Sequence, residues 1–234
     1  MNFFNRLQGV FFNPQATFEA LAAKPVWADA LIFILIAFTL FTYFSAPYSR
    51  QDQRQIFENN VELRERMGED AFNQRLEQMK NPPQWQAILG YASAPVTLLI
   101  GLLVASLFLL IFGRMGSTEG KYVQVMSAYL HANFIDKLLG NGVRLFLILT
   151  KKSTLQATTS MAMFFPKMEV TSPAFAVLSQ IDFFQIWMFG VLAFGLSAIF
   201  KIPLRRALIV SYLIWAIKSL LYIGLMLLSM QIMG

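Results

Sequence analysis

Cysteine is absent from this 234-residue chain, which rules out disulfides and thiolate metal sites. Histidine occurs once, at His131, so a zinc or iron centre would lack ligands at workable spacing, and no metal or other cofactor is expected. No glycine-rich phosphate loop is present. Ser153 and Ser160 have no histidine near them in sequence, so a hydrolase triad has no support and no catalytic residue is expected. Charge is also scarce. Only 14% of residues are charged, and these gather between long apolar runs. The formal net charge of +6 builds no basic face interleaved with aromatics, so nucleic acid is not an expected partner.

The chain does hold a great deal of apolar surface: 56% of it is hydrophobic and its mean hydropathy is +0.54, which makes membrane lipid its natural solvent. The expected class is an all-α polytopic integral membrane protein. It would be a five-helix transmembrane bundle with an amphipathic N-terminal segment (1–25) ahead of a membrane domain (26–234). No small-residue cleavage site follows a short hydrophobic stretch, so no removable signal peptide is expected. Phe3, Phe4, Leu7, Val10 and Phe11 recur at helical spacing beside Asn5, Arg6 and Gln8. Such a helix either lies in the interface or packs on the protein's own helices. Asn13 and Pro14 read as a cap and first turn, opening a second short helix through Phe18 and Leu21 that stops before Pro25.

The first span covers about residues 28–48, close to the roughly 20 residues that cross a hydrocarbon core. A mixed-charge, water-exposed helical hairpin follows over 49–87. In it Arg54 and Glu58, and Glu62 and Arg66, stand four apart, Gly68 separates two helices, and Pro82 and Pro83 end the second. The second span, 88–112, has no charged side chain and carries Ser93, Thr97, Gly101 and Ala105 at four-residue spacing, a small face suited to close helix packing. The third, 122–150, holds His131, Asn133, Asp136, Lys137, Asn141 and Arg144 with Gly140 and Gly142, and predicts a broken, centrally placed helix. After a connector over 151–180, the fourth span runs 182–200 and the fifth 204–233, where Lys218 is the one charge within the apolar run. Counting basic residues in short loops predicts a cytoplasmic N-terminus, with the hairpin and C-terminus outside.

His131, Asn133, Asp136, Lys137, Arg144 and Lys218 form the expected intramembrane polar cluster. Either they line a proton or solute route, or Asp136 neutralises a base inside the bundle. Neighbours on a helix diverge by about 100°, so Arg144 or Lys218 is a better partner for Asp136 than Lys137. Asp182, at the start of the fourth span, reads as a helix cap more than a catalytic acid. Asp29 reads as hydrated or capping, and Trp187 as a core or interfacial ring or a partner-facing anchor.

The run Asp182, Phe183, Phe184, Gln185, Ile186, Trp187, continued by Leu192, Gly195, Leu196 and Ala207, resembles the fourth-helix signature of the Yip family, the Ypt/Rab-interacting-protein domain. Asn13, Pro14, Thr17, Phe18, Leu21 and Pro25 are similar to its N-terminal motif, and the five-span order extends the likeness over nearly the whole chain. Phe183 replaces the usual aliphatic residue, and the proline often found in the third helix is missing. The resemblance is to the bacterial-type branch. It implies a non-catalytic scaffold or accessory subunit in a bacterial inner membrane, with other integral membrane proteins as partners, an ABC-type exporter among them. Homo-oligomers, a small transporter or channel component, and a membrane-organising or trafficking factor are the other readings.

Overall fold

Apolar length and helix caps determine the elements seen in the computed structural model, which describes residues 1–155 and 157–233. The order is α1 (Phe3–Phe12), α2 (Pro14–Ala23), α3 (Ala28–Glu58), α4 (Val61–Met67), α5 (Glu69–Lys80), α6 (Gln84–Arg114) and α7 (Tyr122–Asn133). A π-helical segment (Phe134–Gly140), α8 (Asn141–Lys151), a 3₁₀ turn (Met161–Phe164), α9 (Pro173–Leu178), α10 (Phe183–Phe200) and α11 (Leu204–Met233) complete it. No β-strand occurs among the described residues, only a bridge between Ser160 and Asp182.

Among the described residues four helices are long and apolar enough to cross a membrane: α3, residues 88–114 of α6, α10, and residues 204–229 of α11. The third expected span is not among them. Instead of breaking, the chain runs helically from Tyr122 to Lys151, with seven residues wound as π-helix. A π turn bonds i to i+5 and leaves the regular ladder. Polar side chains attend to carbonyls there: Asn133 Nδ2 donates to Tyr129 O at 2.8 Å and Arg144 Nη1 reaches Asp136 O at 3.4 Å. The segment is central, since every residue from Val125 to Asp136 is buried.

The bundle is unequal. In its membrane window α10 is 56% buried, against 17% for α3, 22% for α6 and 17% for α11. It packs against α7, α2 and α11, and Gly195 is what permits the fit. A Cβ there would stand 2.9 Å from both Ala128 Cβ and Phe18 Cδ1. At the other end of α10, Phe200 occupies the space a side chain on Gly113 or Gly120 would need, and Gly120 also holds φ +93°.

Two expectations change in detail. The hairpin is shorter than 49–87, because α3 runs on through Pro47 to Glu58 and α6 already starts at Gln84. Its small core is Phe72, fully buried and stacked on Phe57 at 4.7 Å with the Arg64 guanidinium over its ring. For α1, the choice between interface and protein resolves towards protein: Phe3 meets Phe33 at 5.1 Å and Phe134 at 6.0 Å, while Val10 and Arg6 are buried. Of the apolar side chains of α1 only Phe4 and Phe12 are exposed. Asn13 precedes α2 without a side-chain cap. The Thr17 hydroxyl instead donates to the Asn13 carbonyl at 2.8 Å.

Candidate functional site

The third segment brings polar side chains together in two places. In the first, Arg6 of α1 forms an ion pair with Asp29, near the start of α3. Its Nε donates to His131 Nε2 at 3.1 Å, and Nη1 donates to the Met1 carbonyl. Because Nε2 accepts, the proton of neutral His131 sits on Nδ1, 2.8 Å from the Ser127 carbonyl. Nearby, Ser127 Oγ donates to Val26 O and Gln124 Nε2 to Ala22 O, so α7 takes up one carbonyl from the last turn of α2 and one from the link to α3.

The second place is built by the π segment, α8, the connector and α10. Arg144 Nη2 donates to Asp136 Oδ1 at 2.9 Å and to Asp182 Oδ1 at 2.8 Å. Nη1 donates to Asn141 Oδ1, and Nε to the Thr159 hydroxyl at 3.0 Å. Thr159 donates in turn to Asp182 Oδ2 at 2.5 Å. Asp182 also caps α10, accepting from Phe184 N at 2.9 Å and Gln185 N at 3.1 Å. Gly140 lets Phe184 pack close, its Cβ position lying 3.0 Å from that side chain. Contrary to expectation, Lys137 does pair with Asp136: its ammonium stands 2.8 Å from Oδ2, because a flexible four-carbon stem can curl back to the preceding residue.

Both carboxylates are therefore saturated by cations and amides. Asp136 cannot act as a base without first giving up Lys137 or Arg144. Lys218, the other candidate partner, forms no ion pair among the described residues. It donates to Gln185 Oε1 and lies 5.8 Å from the Phe189 ring centre.

Beside this cluster is a cavity of about 630 Å³, walled by Asn133, Asp136, Lys137, Gln185, Lys218 and Tyr222 together with apolar groups. Thr97, Gly101 and Ala105 of the small-residue stripe line it as well. Within the chain α6 turns Leu102, Ser106 and Leu109 inward, and nothing lies within 4 Å of a Cβ placed on Gly101. Ser93 is exposed and bonds back to Gly90 O. His131 does not reach the cavity, so the expected route combining it with Asp136 is divided between two separate clusters.

The motif residues surround the same core. Pro14 opens α2, Phe18 and Leu196 are fully buried, and Pro25 lies just beyond α2. Trp187 is half-buried between Phe11 at 5.9 Å and Phe183 at 6.0 Å. Asp52 and Thr159 were missed from sequence. Asp52, buried on the extension of α3, accepts from Thr154 N and Oγ1 at 2.6 Å each and so ties down the connector. Nothing in a mixed-charge loop or a Ser/Thr-rich stretch marked either residue. Among the described residues no group of three or more His, Cys, Asp or Glu could hold a metal ion.

The Yip1 domain model matches residues 9–226, nearly the full length. No curated protein and no solved structure gives a match to the chain.

Proposed function

The chain belongs to the Yip1 domain family, a family of non-enzymatic membrane proteins, and from that premise we propose that it is a non-catalytic scaffold or accessory subunit of a larger membrane complex. The observation that carries this reading is the mutual satisfaction of its inner charges: Arg144 bridges Asp136 and Asp182, and Asp182 caps α10, which is the work of a framework. The outer helices meanwhile keep broad apolar faces, such as Ile100, Val104, Leu107 and Ile111 on α6. Another integral membrane protein can dock there by close packing. The proposed topology has five spans, with the Tyr122–Lys151 helix as the third, an N-terminus in the cytoplasm, and the α4–α5 hairpin and C-terminus outside a bacterial inner membrane. An ABC-type exporter is the proposed partner.

Photo-crosslinking amino acids at Val104 and Leu107 test this in native membranes. A discrete adduct with one other membrane protein is expected. Adducts to lipid alone, together with recovery of only this chain in several mild detergents, would overturn it. The cavity favours a second reading, a small transporter or channel component. Liposome flux separates the two: any flux that Asp136→Asn leaves unchanged does not pass along this wall.

A further inference from the structure

In the charged cluster beside the cavity one positive charge is left over. Asp136 and Asp182 carry two negative charges and Lys137 and Arg144 two positive ones, all within one bonded network. Lys218 adds a positive charge whose nearest partners are a neutral amide oxygen and an aromatic face. Both are weak counterparts for an ammonium withdrawn from water. The wall of its cavity therefore carries a net positive charge, which an anion would balance.

The position of the opening says which anion can reach it. Asn133 and Asp136 form the buried floor, whereas Gly101 on α6 and Tyr222 on α11 are exposed. Both exposed residues lie inside the apolar windows of their helices, so the mouth faces hydrocarbon and not the aqueous phase. Lys218 stands 14 residues beyond Leu204, the start of α11, or about 21 Å at 1.5 Å per residue. In a core about 30 Å thick, with Arg205 and Arg206 at one boundary, that leaves about 9 Å to the other boundary. A lysine stem and a lipid headgroup drawn slightly inward can span this distance. The volume, about 630 Å³, falls in the usual range for small-ligand sites of about 300–1,000 Å³. Phe38, Leu98 and Leu102 give the same cavity an apolar wall along which an acyl chain can lie.

We propose that the cavity between α6, the π segment and α11 binds the acidic headgroup of a membrane phospholipid, with the Lys218 ammonium as its counter-charge and the Thr97–Gly101–Ala105 face as the wall beside it. The small-residue stripe then serves lipid and not a helix. This site is independent of the scaffold reading, since it needs no partner protein.

The full chain, purified in dodecyl maltoside and offered phosphatidylglycerol or phosphatidylcholine of matched acyl chains, is read by native mass spectrometry. One phosphatidylglycerol should be retained, in preference to phosphatidylcholine. Lys218→Gln should weaken that retention about tenfold, the scale of one charge-assisted contact, and Lys218→Arg should preserve it. Gly101→Leu, at a position with open space around its Cβ, should lower the binding of both lipids with every charge intact. Should Lys218→Gln fail to fold, Gly101→Leu decides alone. Equal retention of the two lipids, or undiminished phosphatidylglycerol binding in Gly101→Leu, would overturn the proposal. Displacement of the lipid by millimolar glycerol 3-phosphate would also overturn it, by showing that the site takes a free anion.

Discussion

Arg6 is buried and Arg144 nearly so, and each reaches a carboxylate at the start of a long helix: Asp29 on α3 and Asp182 on α10. Their surroundings differ. The Asp29 side chain is 40% exposed and can exchange its arginine for water, whereas those of Asp182 and Asp136 are 6% and 4% exposed and cannot. Arg6 also satisfies two neutral acceptors, His131 Nε2 and the Met1 carbonyl, while Arg144 engages two carboxylates, a hydroxyl and an amide oxygen. One arginine fastens an N-terminal helix to the outside of a finished bundle. The other keeps the middle of that bundle electrically neutral. In a medium without water, the worth of an ion pair is set less by the pair than by what its loss would strand.

That contrast can be broken at its strongest point by Arg144→Met, which leaves Asp182 buried without a cation and Asp136 with Lys137 alone. A loss of about 3–5 kcal/mol is expected in SDS-titrated unfolding. Asp182→Asn keeps a capping oxygen but removes the charge Arg144 answers, and should cost on the order of 2 kcal/mol in the same titration. Arg6→Met should cost about 1 kcal/mol, chiefly by leaving His131 Nε2 without a donor, and protease should then release the N-terminal segment while α7–α11 stay protected. Comparable losses for Arg6→Met and Arg144→Met would erase the distinction. Smallest of all, Arg66→Ala in the hairpin breaks an exposed pair with Glu62 at 2.7 Å and should change stability by less than about 0.5 kcal/mol.

The sequence displayed the long apolar helices because hydropathy is a property of composition summed over a window, and α3, α6, α10 and α11 satisfy it without help from their neighbours. The cap at Asp182 was legible for a similar reason: it is a local event between a carboxylate and amides two and three residues on. What escaped was non-local. Thr159 matters only because the connector returns to Arg144, and Asp52 only because α3 outruns the membrane window and meets the connector. The stripe on α6 was visible as a pattern, but a run of small side chains looks the same whether it faces a helix or a cavity. Only the positions of α7 and α11 distinguish those cases. His131 and Asp136, five apart in sequence, were joined on paper and lie in different clusters, because residues within one helical segment can face different elements.

The π-helical stretch from Phe134 to Gly140 has a consequence for how this chain tolerates change in length. In a regular α-helix, deleting a residue swings every later side chain by about 100° and displaces it by 1.5 Å. A wide turn already stores one residue more than α-helical winding requires. Removing one residue from it lets the segment tighten into ordinary helix while α8 keeps its angular phase, so that Arg144 still faces α10. Insertions and deletions are usually thought of as belonging to loops. Here the spare residue is kept in a helical segment whose first half is buried within the bundle.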